Sequence, residues 1–247
     1  MKISKLEPKY IKKDNPKIGL ITLASDFRIE KDFNNIIYAK DIDLYSNRIN
    51  CYNPLTNDNL KKMANDIPEV TKNILPDQKL DCVAYGCTSG TIAAGFQSIY
   101  EKVNLAKPNT KVTTPITSAI NALKVLKINK ITVFTPYTDE INKSVISYFK
   151  NEKVEISELS YFDIASDLDI GKVDPEHLYD VLTKQDLSNS DALFISCTAL
   201  PVLSIIEDIE KKLGKVILSS NQTLIWDTLK QIDYRNKIDG YGVLFDN

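Results

Sequence analysis

Two stretches of the 247-residue chain, DCVAYGCTSG at 81–90 and DALFISCTAL at 191–200, each set an aspartate before a short apolar run and close that run with Cys-Thr. Ligands of open parallel sheets bind beyond the carboxyl ends of strands, so Cys87 and Cys197 head the candidates for chemistry. Each precedes residues able to begin a helix, with Thr88, Ser89 and Thr198 as expected caps, and helix amides favour a thiolate or a bound carboxylate. Two sulfurs facing each other can work on opposite sides of one small substrate. One thiolate removes a proton from carbon while the other thiol delivers one to the opposite face, giving racemisation or epimerisation. Alternatively, one sulfur adds to an activated carbon-carbon double bond, allows rotation about the resulting single bond, and leaves. Core filling is the competing account of any cysteine. It is preferred for Cys82, inside its strand, whereas the repeated position of Cys87 and Cys197 favours function.

Other strand ends supply polar groups. Ser25 and Asp26 follow the run KIGLITL, and Tyr137 follows KITVFT, where its hydroxyl can donate to a carboxylate or a developing enolate, or simply seal a seam. Ser220 and Asn221, after KVILS, can bind an acid or cap the next helix, and Arg48 is the nearest arginine to the first mouth. GCTSGTIAAG misses both the GxGxxG and GxxxxGK spacings, so a phosphate loop is disfavoured; Gly86 reads as letting backbone approach a ligand and Gly90 as relief of crowding at the helix entrance, with a structural turn as the alternative. His177 and Trp226 fall where structural roles outrank chemistry.

Hydrophobic periodicity sets out the elements that carry these residues. Apolar runs predict strands over 17–23, 43–50, 80–87, 111–114, 130–135, 154–160, 192–197 and 215–219. Helical spacing predicts helices over 28–38, 60–74, 91–103, 116–126, 140–149, from Pro175, 202–213 and 222–232. In the third helix Ile92, Phe96, Tyr100 and Val103 are expected inward. Strands alternating with helices predict an α/β fold with parallel sheets covered by helices. The pattern also restarts: KIGLITLASD at 17–26 aligns with KITVFTPYTD at 130–139, and the two Cys-Thr stretches align with each other. Two similar lobes related by a pseudo-two-fold are therefore expected, with the active site between them. The first spans 1–115, the second 116–220, and 221–247 form a C-terminal helix and tail returning to the first lobe.

Composition bounds the partners. A formal net charge of −2 with scattered lysines argues against nucleic acid. With 43% hydrophobic and 26% charged residues, no run is long enough to span a bilayer, and the basic N-terminal stretch lacks a secretory pattern, so the default location is cytoplasmic. Four cysteines without a CxxC pair and a single histidine make a metal site an unfavoured reading.

Taken in order, KIGLITLASDFRIEKDF, YGCTSGTIAAG, FTPYTDEIN and FISCTALPVLSIIEDIEKKLGKVILSSNQTLIW resemble the aspartate/glutamate racemase superfamily, in its maleate isomerase and arylmalonate decarboxylase branch. That resemblance implies two αβ lobes around an interlobe site, no obligatory cofactor, and a homodimer or higher homo-oligomer. It implies a nucleophilic role for Cys87, proton handling by Cys197 and substrate contact by Tyr137. Arylmalonate decarboxylases lack the first of these cysteines, so the presence of both favours isomerase or racemase chemistry. One departure is Leu23-Ala24-Ser25-Asp26, where maleate isomerases carry Pro-Ser-Ser-Asn or a close variant. An ionised Asp26 repels a dicarboxylate and pairs with an ammonium or amidinium group. The LASD variant resembles the ectoine-utilisation members of the branch. The expected function is thus a cofactor-independent, maleate isomerase-like enzyme acting on a small carboxylic acid. A racemase or epimerase of an amino-acid-like or ectoine-related acid, and a non-catalytic small-acid binding protein, are the alternatives.

Overall fold

Eight apolar runs form eight strands in two parallel sheets of identical order. In a computed structural model describing residues 1–10 and 14–247, the first sheet contains β1 (Lys17–Leu23), β2 (Asp43–Ile49), β3 (Cys82–Gly86) and β4 (Lys111–Thr113) in the order β2-β1-β3-β4. The second contains β5 (Lys130–Thr135), β6 (Glu155–Tyr161), β7 (Ala192–Ile195) and β8 (Val216–Ser219) in the order β6-β5-β7-β8. β3 and β7 are buried along their whole length, as apolar strands covered on both faces must be. The restart seen in the sequence is thus a repeated αβ lobe.

The connecting helices are α1 (Ile29–Ile37), α2 (Asn57–Met63), α3 (Ile67–Lys72), α4 (Thr88–Ala94), α5 (Phe96–Ala106), α6 (Pro115–Leu126), α7 (Asp139–Asn151), α8 (Asp167–Ile170), α9 (Pro175–Leu182), α10 (Ile206–Leu213) and α11 (Ser220–Gln231). α11 packs against α6 and against β3 and β4 of the first sheet. A capping box fixes its start: the Ser219 hydroxyl accepts from the Gln222 amide at 3.2 Å, and the Gln222 side chain accepts from the Ser219 amide at 3.3 Å. Among the described residues no helix is long and apolar enough to cross a membrane.

Three expected helices are corrected. The 60–74 helix divides into α2, a 3-10 turn at Ala64–Asp66 and α3, because Pro68 lacks an amide hydrogen and its ring clashes with the carbonyl four residues earlier. Its apolar face survives, with Leu60, Met63, Ile67 and Ile74 buried. The 91–103 helix is split by Gly95 at φ +80, which resets the phase. Ile99 and Val103 turn inward, while Tyr100 is exposed and Ile92 and Phe96 are only partly buried. The 202–213 helix begins only at Ile206, and β7 stops at Ile195, so Cys197 stands in a connecting loop.

Candidate active site

Each sheet has its order reversal between its first and third strands in the chain, β1 and β3 in one lobe, β5 and β7 in the other. Four loops leave the carboxyl ends of those strands, and such reversals are where parallel sheets open a crevice. The loop after β1 holds Ser25 and Asp26, that after β3 Cys87, that after β5 Tyr137, and that after β7 Cys197 and Thr198.

Cys87 is itself the N-cap of α4. Its sulfur accepts the Gly90 amide hydrogen at 3.2 Å, so the caps expected from Thr88 and Ser89 are corrected: the thiol does that work. Ser89 Oγ lies 3.9 Å from the same sulfur. Thr198 caps no helix, because α10 starts eight residues later in the numbering; its hydroxyl donates instead to the Gly86 carbonyl at 3.3 Å. Cys197 adopts φ +98, a region that side chains with a Cβ avoid. Its amide donates to Ser220 Oγ at 3.0 Å, and Ser220 Oγ also receives the Thr88 hydroxyl at 2.9 Å. The two Cys-Thr stretches are therefore tied across the lobes at two points.

Tyr137 is buried, and its hydroxyl accepts from Ser196 at 3.3 Å and sits close enough to Cys197 to stabilise a thiolate there. Asn142 holds the Tyr137 carbonyl at 3.2 Å, which fixes the loop. Both cysteines are shut away from solvent. Burial pushes both thiols well above their ordinary range, with the Asp167 charge adding to the effect; for Cys87 the Gly90 amide, and for Cys197 the Ala199 amide, act in the opposite direction.

Asp26 is 1% exposed, and its Oδ1 takes the amides of Arg28 at 2.7 Å and Ile29 at 3.1 Å, which starts α1. Its Oδ2 has no hydrogen-bond partner. Burial raises the Asp26 carboxyl against the pull of these amides, of the nearby Thr198 hydroxyl and of the Arg48 charge. Ser25 donates to Asp167 Oδ2 of the second lobe at 2.6 Å. Beside that contact, the Arg28 guanidinium donates to the Gly171 carbonyl at 3.0 and 3.3 Å, and the Phe27 ring lies against Gly171 where a Cβ would come within 2.7 Å of it. Loop 24–28 is thereby clasped to 167–171, over the cleft.

Asn221 donates to the Thr198 carbonyl at 2.8 Å and to Asp32 at 2.7 Å, and its own Oδ1 is buried without a partner. Arg48 is turned to another task. Its guanidinium donates to the carbonyls of Leu23, Ala24 and Asp26 and pairs with Glu30, so it braces the loop from the solvent side.

Four residues of this region are not among the candidates the sequence supplies. Asp167 reaches in from the acid-rich stretch FDIASDLDIGKVDP, whose composition was the available signal. Its carboxyl is pushed up to about 6, chiefly by burial. Asp32, partly buried, is raised to about 7 for the same reason. Tyr85, inside β3, has a fully buried hydroxyl with no partner, and that hydroxyl and Cys87 Sγ both flank Gly90. Cys51 is half-buried, and its thiol is raised to about 11 by burial and by Asp167. By contrast, a surface groove of about 470 Å³ between α10 and residues 238–246 contains none of these groups.

Comparisons with known proteins follow this geometry. The family pattern described as arylmalonate decarboxylase matches residues 62–245. The maleate isomerase of Geobacillus stearothermophilus is 25% identical over 244 residues, covering 92% of this chain and 96% of its own. An arylmalonate decarboxylase from Bordetella bronchiseptica is 27% identical over 137 residues, 54% of this chain and 57% of that protein. Among solved structures, the maleate isomerase of Pseudomonas putida superposes with a TM-score of 0.85 at 20% identity, over 93% of this chain and 98% of that one. A variant of Nocardia farcinica maleate cis-trans isomerase with a covalently bound succinylcysteine intermediate superposes with the same TM-score of 0.85 at 20% identity, over 93% and 98%.

Proposed function

The chain belongs to the arylmalonate decarboxylase family, and on that premise we propose that it is a cofactor-independent isomerase of a small carboxylic acid, working through Cys87 and Cys197. The observation that carries the reading is the pair of cross-lobe bonds, Thr198 to Gly86 and Thr88 to Ser220, which hold the loops of the two cysteines against each other. The succinylcysteine of the Nocardia farcinica protein supports a covalent route.

In the cis-trans form of this chemistry, Cys87 reacts as the thiolate, its proton having passed to bulk water as the substrate enters, and its sulfur attacks one carbon of an activated double bond. Cys197 gives its thiol proton to the other carbon, leaving a saturated thioether and a Cys197 thiolate. The former double bond rotates as a single bond. Cys197 then removes a proton from the carbon it protonated, the carbon-sulfur bond breaks, and Cys87 departs as the thiolate. Tyr137 donates to the charge that develops on the substrate carboxylate or on Cys197. A closed, dry site suits each step, since water would quench the carbanion.

Racemisation or epimerisation of an amino-acid-like acid, including the ectoine-related class, is the second reading, and the buried Asp26 favours it because that carboxylate suits an ammonium neighbour. A binding protein for small acids uses the same cleft without turnover. Incubation of the reduced protein with maleate, amino dicarboxylates and ectoine-related acids in deuterated buffer, followed by proton NMR, separates the three. A cis-trans product supports the first, deuterium at an inverted stereocentre the second, and an unaltered bound ligand the third. Full activity after Cys87→Ala or Cys197→Ala refutes the two-cysteine mechanism.

A further inference from the structure

Carboxylates crowd the paired thiols, answered only at longer range by Arg48 at Asp26 and by Arg28 and Lys31 at Asp32 among the described residues. Asp26 and Asp167 are 1% and 3% exposed, and Asp32 lies beside them, held by Asn221. Among the described residues no lysine or arginine forms an ion pair with any of the three, since Arg28 is engaged by Gly171 and Arg48 by Glu30 and three carbonyls. The charges of Asp26 and Asp167 oppose each other and also oppose ionisation of Cys51 and Cys197. A buried carboxylate left unpaired takes up either a proton or a cationic partner.

The unsatisfied atoms say where. Asp26 Oδ2 and Asn221 Oδ1 are both buried acceptors without a donor. Asp26 already has its other oxygen saturated by two amides, so Oδ2 is the free one. Among the described residues no three His, Cys, Asp or Glu side chains are arranged to ligate a metal ion.

We infer that the substrate of this cleft carries, besides its carboxylate, a cationic nitrogen group, ammonium or amidinium, held between Asp26 of the first lobe and Asp167 of the second. This rests on the reading of the cleft as the substrate site of the proposed enzyme. Such a cation supplies the donors that Asp26 Oδ2 lacks, and it turns mutual repulsion of the two acids into attraction. It also stabilises negative charge on the sulfurs, whose ionisation burial and the neighbouring carboxylates resist. Asp26 and Asp167 are substrate-binding residues in this scheme.

The opposite arrangement, two neutral acids donating to a dicarboxylate, makes a contrary prediction. Succinate and 3-amidinopropionate have the same skeleton and differ in one planar end group, carboxylate or amidinium; 4-aminobutyrate gives the ammonium counterpart. Calorimetric titration of the reduced protein at neutral pH is expected to show one or both cationic probes binding at least about tenfold tighter than succinate, the size of one charge-assisted hydrogen bond. The double variant Asp26→Asn, Asp167→Asn retains the acceptors for Arg28, Ile29 and Ser25, and its melting temperature reports folding. That variant is expected to lose the preference. Succinate binding as tightly as the cationic probes, binding of neither class, or an unchanged preference in the folded double variant overturns the inference. Binding needs no turnover, so a cation preference in a protein whose activity survives Cys87→Ala would refute the two-cysteine mechanism and leave the inference standing.

Discussion

Thr88 gives its hydroxyl hydrogen to Ser220 across 2.9 Å, although the two are 132 residues apart in the chain. Ser220 also receives the amide of Cys197 at 3.0 Å. One hydroxyl oxygen thus joins the residue after the first cysteine to the backbone of the second.

Ser220→Ala removes the shared acceptor and leaves both donors buried. The variant is expected to lose about 2 kcal/mol of stability, read as a lower urea midpoint at constant slope, together with a fall in turnover. A midpoint indistinguishable from the parent would show that the junction carries no load.

The backbone at Cys197 offers a separation of strain from chemistry. At φ +98 a glycine is at ease and an alanine is not. Cys197→Gly is therefore expected to be more stable than Cys197→Ala by about 1 kcal/mol, with both equally inactive. Equal stabilities would mean that the surrounding hydrogen bonds do not impose this conformation.

Asp167 makes stability depend on pH. Its folded carboxyl is raised to about 6 from an ordinary value of 3.8, so between those values the folded chain binds more protons than the unfolded one. Stability contributed by the neutral acid is present below that window and is lost as pH rises through it. Asp167→Asn is expected to match the parent near pH 4 and to exceed it by roughly 2 kcal/mol at pH 8, as urea titrations at the two pH values would show. A gain that shrinks with rising pH would reverse the sign of the assigned shift.

Gly90 is fixed by its neighbours rather than by its conformation. A Cβ there would come within 2.8 Å of Cys87 Sγ and 3.0 Å of both the Tyr85 hydroxyl and Met63 Cε. Gly90→Ala is expected to displace the Cys87 sulfur from the Gly90 amide and to cut turnover by at least about tenfold, while circular dichroism retains the αβ signature. Parental turnover would show that the sulfur has room to move.

Strand positions were readable because β3 and β7 are continuous apolar runs, and the duplicated Cys-Thr placed both thiols at matching strand ends. Helix phase was less readable: Gly95 sits inside an apparently continuous apolar pattern, and only its positive φ reveals the reset that turns Ile99 rather than Tyr100 inward. Tyr137 and Asp26 could be found by their place after strands. Asp167 could not, because it follows β6, an edge strand, and reaches the cleft only through the path of the chain between Tyr161 and α8. The role of Arg48 was obscured for a related reason. Its proximity to the mouth was visible in sequence, but the three carbonyls that occupy it belong to the end of β1 and the loop after it, whose course no local pattern dictates.

The clasp of loop 24–28 onto 167–171 uses Asp167 as its acceptor from Ser25, the same carboxylate that borders the thiols. A ligand that engages this group therefore competes with the bond that keeps the lobes shut over it, so admission and recognition draw on one oxygen pair. For a ligand that binds there, closure and recognition form one equilibrium, since a donor on Asp167 Oδ2 takes the place of the Ser25 hydroxyl.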